Sequence, residues 1–273
     1  MPGAAPLSID GGPAGVLLLH GFTGTPAVLR PAAERLAAQG LSVELPLLPG
    51  HGTAVVDMVE TRWSDWARAA EEAYGTLASR CARVAVVGFS MGGTLGCMLA
   101  ARHETIRGLA LVNPFAQPPD DDLRSAVHEL VQAGVELAPR AAAETPRGPT
   151  GRPDVADPDV GAFPTYHDVP LASLLSLFEG VEEVALGLGS IRCPVLLLSS
   201  KEDHVLAPSN GDLVVASVAG SVERVWLERS YHNALVDYDR QEVEDRLVAF
   251  VVSVTGTGAG DADQAGDADQ EEE

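Results

Sequence analysis

Residues Gly88 to Gly92 read G-F-S-M-G and are followed by another glycine, Gly93. The segment comes directly after the apolar run R-V-A-V-V and opens a further apolar stretch. A serine in that context sits on a strand-to-helix turn so tight that its hydroxyl is pushed outward. Side chains two positions before or after it would collide with the neighbouring strand and helix, and glycine at 88 and 92 removes that collision. Ser90 is then a nucleophile at a helix N-terminus, with the Met91 amide facing the anion that forms on attack. An oxyanion hole needs a second donor. The segment H-G-F-T-G, His20 to Gly24, ends the first strong apolar run and offers the amide of Phe22. His20 is expected to brace that loop rather than transfer protons.

A serine nucleophile needs a base, and the base needs a carboxylate to orient it. The seven histidines are His20, His51, His103, His128, His167, His204 and His232. His232, in E-R-S-Y-H-N-A, follows the last apolar β-type run, where a loop can return it to the serine. His103 falls at a helix end, and His128 and His167 lie in an irregular stretch. His51, in P-G-H-G-T, is a candidate pocket-lining residue. Asp203 stands just past the run P-V-L-L-L-S-S, on the same rim as His232, with Glu202 and Asp237 as rivals. The order Ser90, Asp203, His232 is the order found in α/β hydrolases.

These residues need a frame. Apolar β-type runs at Val16–His20, Ser42–Pro46, Val84–Phe89, Leu109–Asn113, Val195–Ser199 and Val222–Leu227 are mostly continuous rather than alternating, as in strands covered on both faces. Helix-like stretches at Pro26–Gln39, Trp63–Leu77, Gly92–His103, Ser209–Val218 and Arg240–Val252 separate them. That rhythm predicts a doubly wound α/β domain with a mostly parallel sheet. It breaks after Pro114, where nine further prolines fall by Pro170 amid acidic residues and weak periodicity. An apolar helix-like run, Leu171–Leu188, follows. The expected organisation is a core of 1–113 and 190–254, a small cap insertion with its following helix at 114–189, and a disordered acidic tail at 255–273.

The chain has 273 residues and a net charge of −21, which disfavours nucleic acid and anionic membrane surfaces as partners. Three scattered cysteines suit neither a disulfide scaffold nor a zinc cluster. With no basic leader or membrane-length apolar run, the expected location is cytoplasmic, without stable membrane insertion. The oligomeric state stays open.

The chain resembles the compact bacterial carboxylesterases and monoacylglycerol lipases of the α/β-hydrolase superfamily. The resemblance rests on L-L-L-H-G-F-T-G, L-P-G-H-G-T, W-S-D-W at Trp63–Trp66, G-F-S-M-G-G, K-E-D-H-V-L-A-P-S-N-G and W-L-E-R-S-Y-H-N, which run from about Val16 to Phe250. It implies Ser90 as nucleophile, Asp203 as acid, His232 as base and the Phe22 and Met91 amides as oxyanion donors. It further implies a small-molecule substrate, an ester of a medium-chain acyl group such as a monoacylglycerol. No metal or organic cofactor is needed for that chemistry. Leu171, Leu174, Leu175, Leu177 and Phe178 are candidates for one face of an acyl groove. Asn233 departs from the family, which tends to place an apolar residue after the base. A thioesterase or acyltransferase would use the same triad, and a non-catalytic binding protein on the same fold is the alternative of another class. Because the base must be neutral, turnover is expected to rise through the ordinary imidazole range, ~6–7, and to persist into mild alkali.

Overall fold

The computed structural model describes residues 1–139 and 153–257. Part of the insertion expected at 114–189, residues 140–152, lies outside them, as does the tail from 258 onward. Among the described residues, seven strands form one sheet: β1 (Leu7–Ile9), β2 (Ala14–Leu19), β3 (Ser42–Leu45), β4 (Arg83–Phe89), β5 (Ile106–Val112), β8 (Val195–Ser200) and β9 (Val222–Leu227). Their order is β1-β3-β2-β4-β5-β8-β9, and only β1 runs antiparallel, against β3. Two short strands, β6 (Leu137–Pro139) and β7 (Asp168–Pro170), pair separately.

The continuous apolar runs divide by parity between two cores, as strands with side chains pointing alternately to opposite faces must. Leu17, Leu19, Val84, Val86, Leu109, Leu111, Val195 and Leu197 belong to one core. It is completed by α3 (Trp63–Ala78), α4 (Met91–Arg102), α6 (Leu171–Gly187) and α7 (Ser209–Ser217). Val16, Leu18, Ala85, Val87, Ala110, Val112, Leu196 and Leu198 face the other core, against α1 (Arg30–Ala37) and α8 (Arg240–Thr255). Both faces of the central strands are therefore buried, and so alternation is missing from the sequence.

The elements outside the sequence-based expectation are the strands β1, β6 and β7 and two helices, one in the stretch after His51 and one after Pro114. The antiparallel edge strand β1 is three residues long and half exposed, too short to carry a periodic signal. The stretch after Pro114 contains a regular helix, α5 (Asp121–Gln132), started by Asp120, whose Oδ1 accepts from the Leu123 amide at 2.8 Å. The helix buries only Val127, which packs with Val169, Leu171 and Phe178 of β7 and α6. A one-turn helix, α2 (Val56–Val59), precedes α3. Among the described residues no helix is long and apolar enough to cross a membrane.

Chain order reverses between β2 and β4: β3 lies to one side of β2 and β4 to the other. In open α/β sheets such a switch point leaves a crevice at the carboxyl ends of the strands. The loops after β2 and β4, residues 20–24 and Ser90–Met91, meet there.

Candidate active site

Ser90 joins β4 to α4 with φ 55° and ψ −120°, a conformation that non-glycine residues avoid unless the surroundings impose it. The surroundings do impose it. A Cβ on Gly88 would fall inside the Gly92 backbone, and one on Gly92 would fall on the carbonyl of Leu19. The Ser90 amide donates to Val112 O at 3.1 Å, and its carbonyl accepts from Phe115 N at 3.2 Å, so the elbow is tied to the end of β5. Gly21 passes so close that a Cβ there would lie 3.1 Å from Ser90 Cβ. Among the described residues, no hydrogen bond engages the Phe22 or Met91 amide.

The loop after β9 returns His232 to the serine. Ser90 Oγ donates to His232 Nε2 at 3.1 Å, and His232 Nδ1 donates to Asp203 Oδ2 at 2.7 Å. The other oxygen of Asp203 accepts from the Val205 and Leu206 amides at 2.9 and 2.8 Å. Both side chains are shielded, His232 at 7% and Asp203 at 2% exposure, which strengthens their interaction relative to water. The rivals are elsewhere. Asp237 accepts from four amides, those of Ala156, Asp157, Tyr231 and Tyr238, and Glu202 is exposed. His103 pairs with Glu71, and His128 and His167 are exposed. Burial pushes the Cys97 thiol up to about 12 and the Cys193 thiol up to about 11, so neither is a nucleophile at neutral pH.

His20 braces the loop it begins: its Nδ1–H donates to Gly21 O at 3.0 Å and its Nε2 accepts from Leu48 N at 3.1 Å. His51, a candidate pocket-lining residue, is not among the residues that line the cavity. It is buried, with Nδ1–H donating to Pro49 O at 2.9 Å and Nε2 accepting the Thr23 amide at 3.2 Å. Thr23 follows Phe22 and has φ 60°, so this bond holds a strained position of the loop. In both rings one nitrogen faces a backbone N–H and cannot take a proton. Burial accordingly lowers His20 to about 3 and His51 to about 4, with His51 itself opposing charge on His20. Their folded values lie below the unfolded value of ~6.5. The unfolded chain therefore binds the extra protons, and the stability they lend above ~6.5 is lost as pH falls towards 4 and then 3. Both rings are expected to keep neutral-imidazole ¹⁵N shifts at pH 5 in a long-range ¹H–¹⁵N spectrum; a ring titrating near pH 6 would contradict this geometry.

A cavity of about 280 Å³ opens on Ser90 and His232. Leu171, Leu174, Leu177 and Phe178 of α6 line it, whereas Leu175 does not and packs against the cluster of Val127, Val169, Leu171 and Phe178. Leu123, Ala126, Val127 and Leu130 of α5 form another wall that sequence reasoning missed. The i, i+4, i+7 spacing of Leu123, Val127 and Leu130 behind an acidic N-cap was the available signal. No Asp, Glu, Lys or Arg lines the cavity among the described residues.

Residues 13–239 match the Hydrolase_4 family, described as Serine aminopeptidase, S33. The chain belongs to this family of serine hydrolases. It is 39% identical over 257 residues to the thermostable monoacylglycerol lipase of Bacillus sp. (strain H-257), covering 94% of this chain and 97% of that one. It is 24% identical to a carboxylesterase of Bacillus subtilis (strain 168), over 90% and 95% of the two chains. Among solved structures, one reported for LipS and LipT, two metagenome-derived lipolytic enzymes, matches with TM-score 0.80 and 33% identity, covering 93% of this chain and 99% of that one. The monoacylglycerol lipase of Paleococcus ferrophilus shares the fold at TM-score 0.73 and 16% identity, over 91% and 99%. The Hydrolase_4 chain thus has the α/β-hydrolase fold that its sequence predicts.

Proposed function

We propose that this protein hydrolyses carboxylic esters of medium-chain acyl groups, monoacylglycerols among them, through an acyl-enzyme on Ser90. The observation that carries the reading is the apolar cavity opening on Ser90 and His232. A slot of this volume, free of charged walls among the described residues, suits one unbranched chain better than a polar or charged acid. The similarity to the Bacillus monoacylglycerol lipase supports it.

In this reading the ester carbonyl oxygen lies between the Phe22 and Met91 amides. His232 Nε2 takes the Ser90 proton as Oγ adds to the carbonyl carbon, and Asp203 stabilises the imidazolium. The imidazolium then protonates the departing alcohol as the ester C–O bond breaks, leaving the acyl group on Oγ. Water enters, gives a proton to the same nitrogen and adds to the acyl carbon; His232 returns that proton to Oγ as the acid leaves. The described parts of the insertion act as a cap that supplies the acyl groove through α5 and α6. The three unpaired cysteines favour a cytoplasmic location.

The test is turnover of para-nitrophenyl acetate, butyrate, octanoate, laurate and palmitate beside monolauroylglycerol. The expected profile peaks at octanoate or laurate, with the monoacylglycerol cleaved. Turnover confined to acetate and butyrate would keep the triad and sink the medium-chain assignment.

A further inference from the structure

A base on a loop is only as well placed as its main chain, and the peptides flanking His232 are gripped from two sides. On one side the His232 amide donates to Asp154 Oδ2 at 3.0 Å. Asp154 is 9% exposed, and it comes from the return segment of the insertion rather than from the sheet. The same carboxylate accepts from the His204 amide at 3.1 Å and from its Nδ1 at 2.9 Å, next to Asp203. The Asp154 carbonyl in turn accepts from Asn233 twice, from its amide and from Nδ2, both at 3.1 Å. The polar residue that departs from the family pattern after the base is thus spent on holding Asp154.

On the other side the His232 carbonyl accepts from Asn113 Nδ2 at 2.9 Å. Asn113 is buried, follows β5 directly and has φ 43°, a region asparagine tolerates better than most residues. Its Nδ2 also donates to Ser200 Oγ at 2.9 Å, and its Oδ1 accepts from the Ser200 amide at 2.8 Å. Ser200 Oγ passes the grip on by donating to the Tyr231 carbonyl at 2.8 Å. Val112, the preceding residue, is the one whose carbonyl holds the Ser90 amide. One strand end therefore references both the nucleophile and the base.

We propose that Asp154 and Asn113 are positioning residues that clamp the His232 main chain between them, so that the insertion and the sheet together aim the imidazole at Ser90. The clamp rests on the reading of His232 as the base. A displacement of ~1 Å at such a group costs up to ~100-fold in rate, whereas substrate affinity depends on the cavity walls. Loss of either arm therefore acts on kcat.

The experiment compares Asp154→Ala, Asn113→Gly and Asp154→Asn with wild type and His232→Ala on a soluble ester, para-nitrophenyl butyrate. Glycine keeps the positive φ accessible while deleting the amide, and folding is checked by near-ultraviolet circular dichroism. Asp154→Ala and Asn113→Gly should each lower kcat about tenfold or more with KM within about twofold. Asp154→Asn, whose amide oxygen still accepts, should recover most of the loss. If either deletion does not accumulate as folded protein, Ser200→Ala carries the prediction, with kcat down at least about threefold at unchanged KM. Folded variants with wild-type kcat, or with only KM raised, would overturn the clamp while an inactive His232→Ala left the base assignment standing. Turnover by His232→Ala would remove both.

Discussion

Ser90→Ala is expected to lower kcat by about 10⁴- to 10⁶-fold while the fold and ester binding survive. The serine side chain is small, and the elbow is held by backbone bonds to Val112 O and Phe115 N that alanine retains. On the proposed mechanism, what is lost is the atom that accepts the acyl group, and the Phe22 and Met91 amides and His232 remain. The residual rate would come from water attacking an ester polarised by the Phe22 and Met91 amides, with His232 still available as base. Steady-state turnover and substrate-induced shifts in thermal midpoint read the two parts separately. A variant with turnover near wild type would show that another group carries the reaction.

Asp203→Asn should cost about 10⁴-fold in kcat, for a reason visible in the hydrogen bonds. Oδ1 accepts from two amides, Val205 and Leu206, so an asparagine placed there keeps its oxygen on that side. Its NH₂ group then faces His232 Nδ1, which must become the acceptor. The ring proton moves to Nε2 and points at Ser90 Oγ, where a base can no longer receive a proton. Stability should change far less than rate. Because hydroxide can partly replace the lost base, the loss should shrink as pH rises, and a pH–rate series from neutral to mild alkali measures this. A loss of tenfold or less, constant across pH, would contradict the tautomer argument.

The sheet was legible because continuous apolar runs have one physical cause, burial on both faces, and the runs expected at Val84–Phe89 and Val195–Ser199 lie within buried strands. The elbow was legible for a related reason: it needs glycine at two fixed offsets, and close backbone approach leaves that trace in sequence. The helix α5 was not: Leu123, Val127 and Leu130 recur at helical spacing, but the element is short, sits among prolines and acidic residues, and turns Leu123 and Leu130 to a cavity rather than a core. Asn113 and Asp154 were invisible too. Each acts on the backbone of a residue 119 or 78 positions away, and a side chain bonding a peptide group imposes no residue type on its partner. His51 lies near the site in sequence, but its part is to hold the Thr23 amide, which only the loop geometry reveals. Asn233, in sequence only a departure from pattern, finds its partner in Asp154.

The proposed reaction depends above all on Ser90 carrying the acyl group. Acid-quenching the enzyme during turnover of para-nitrophenyl octanoate, followed by peptide mass spectrometry, tests it directly. An octanoyl adduct is expected on the peptide bearing Ser90, formed within one turnover and absent from Ser90→Ala. An adduct on another residue, or steady turnover with no trapped adduct under conditions where deacylation is rate-limiting, would contradict it.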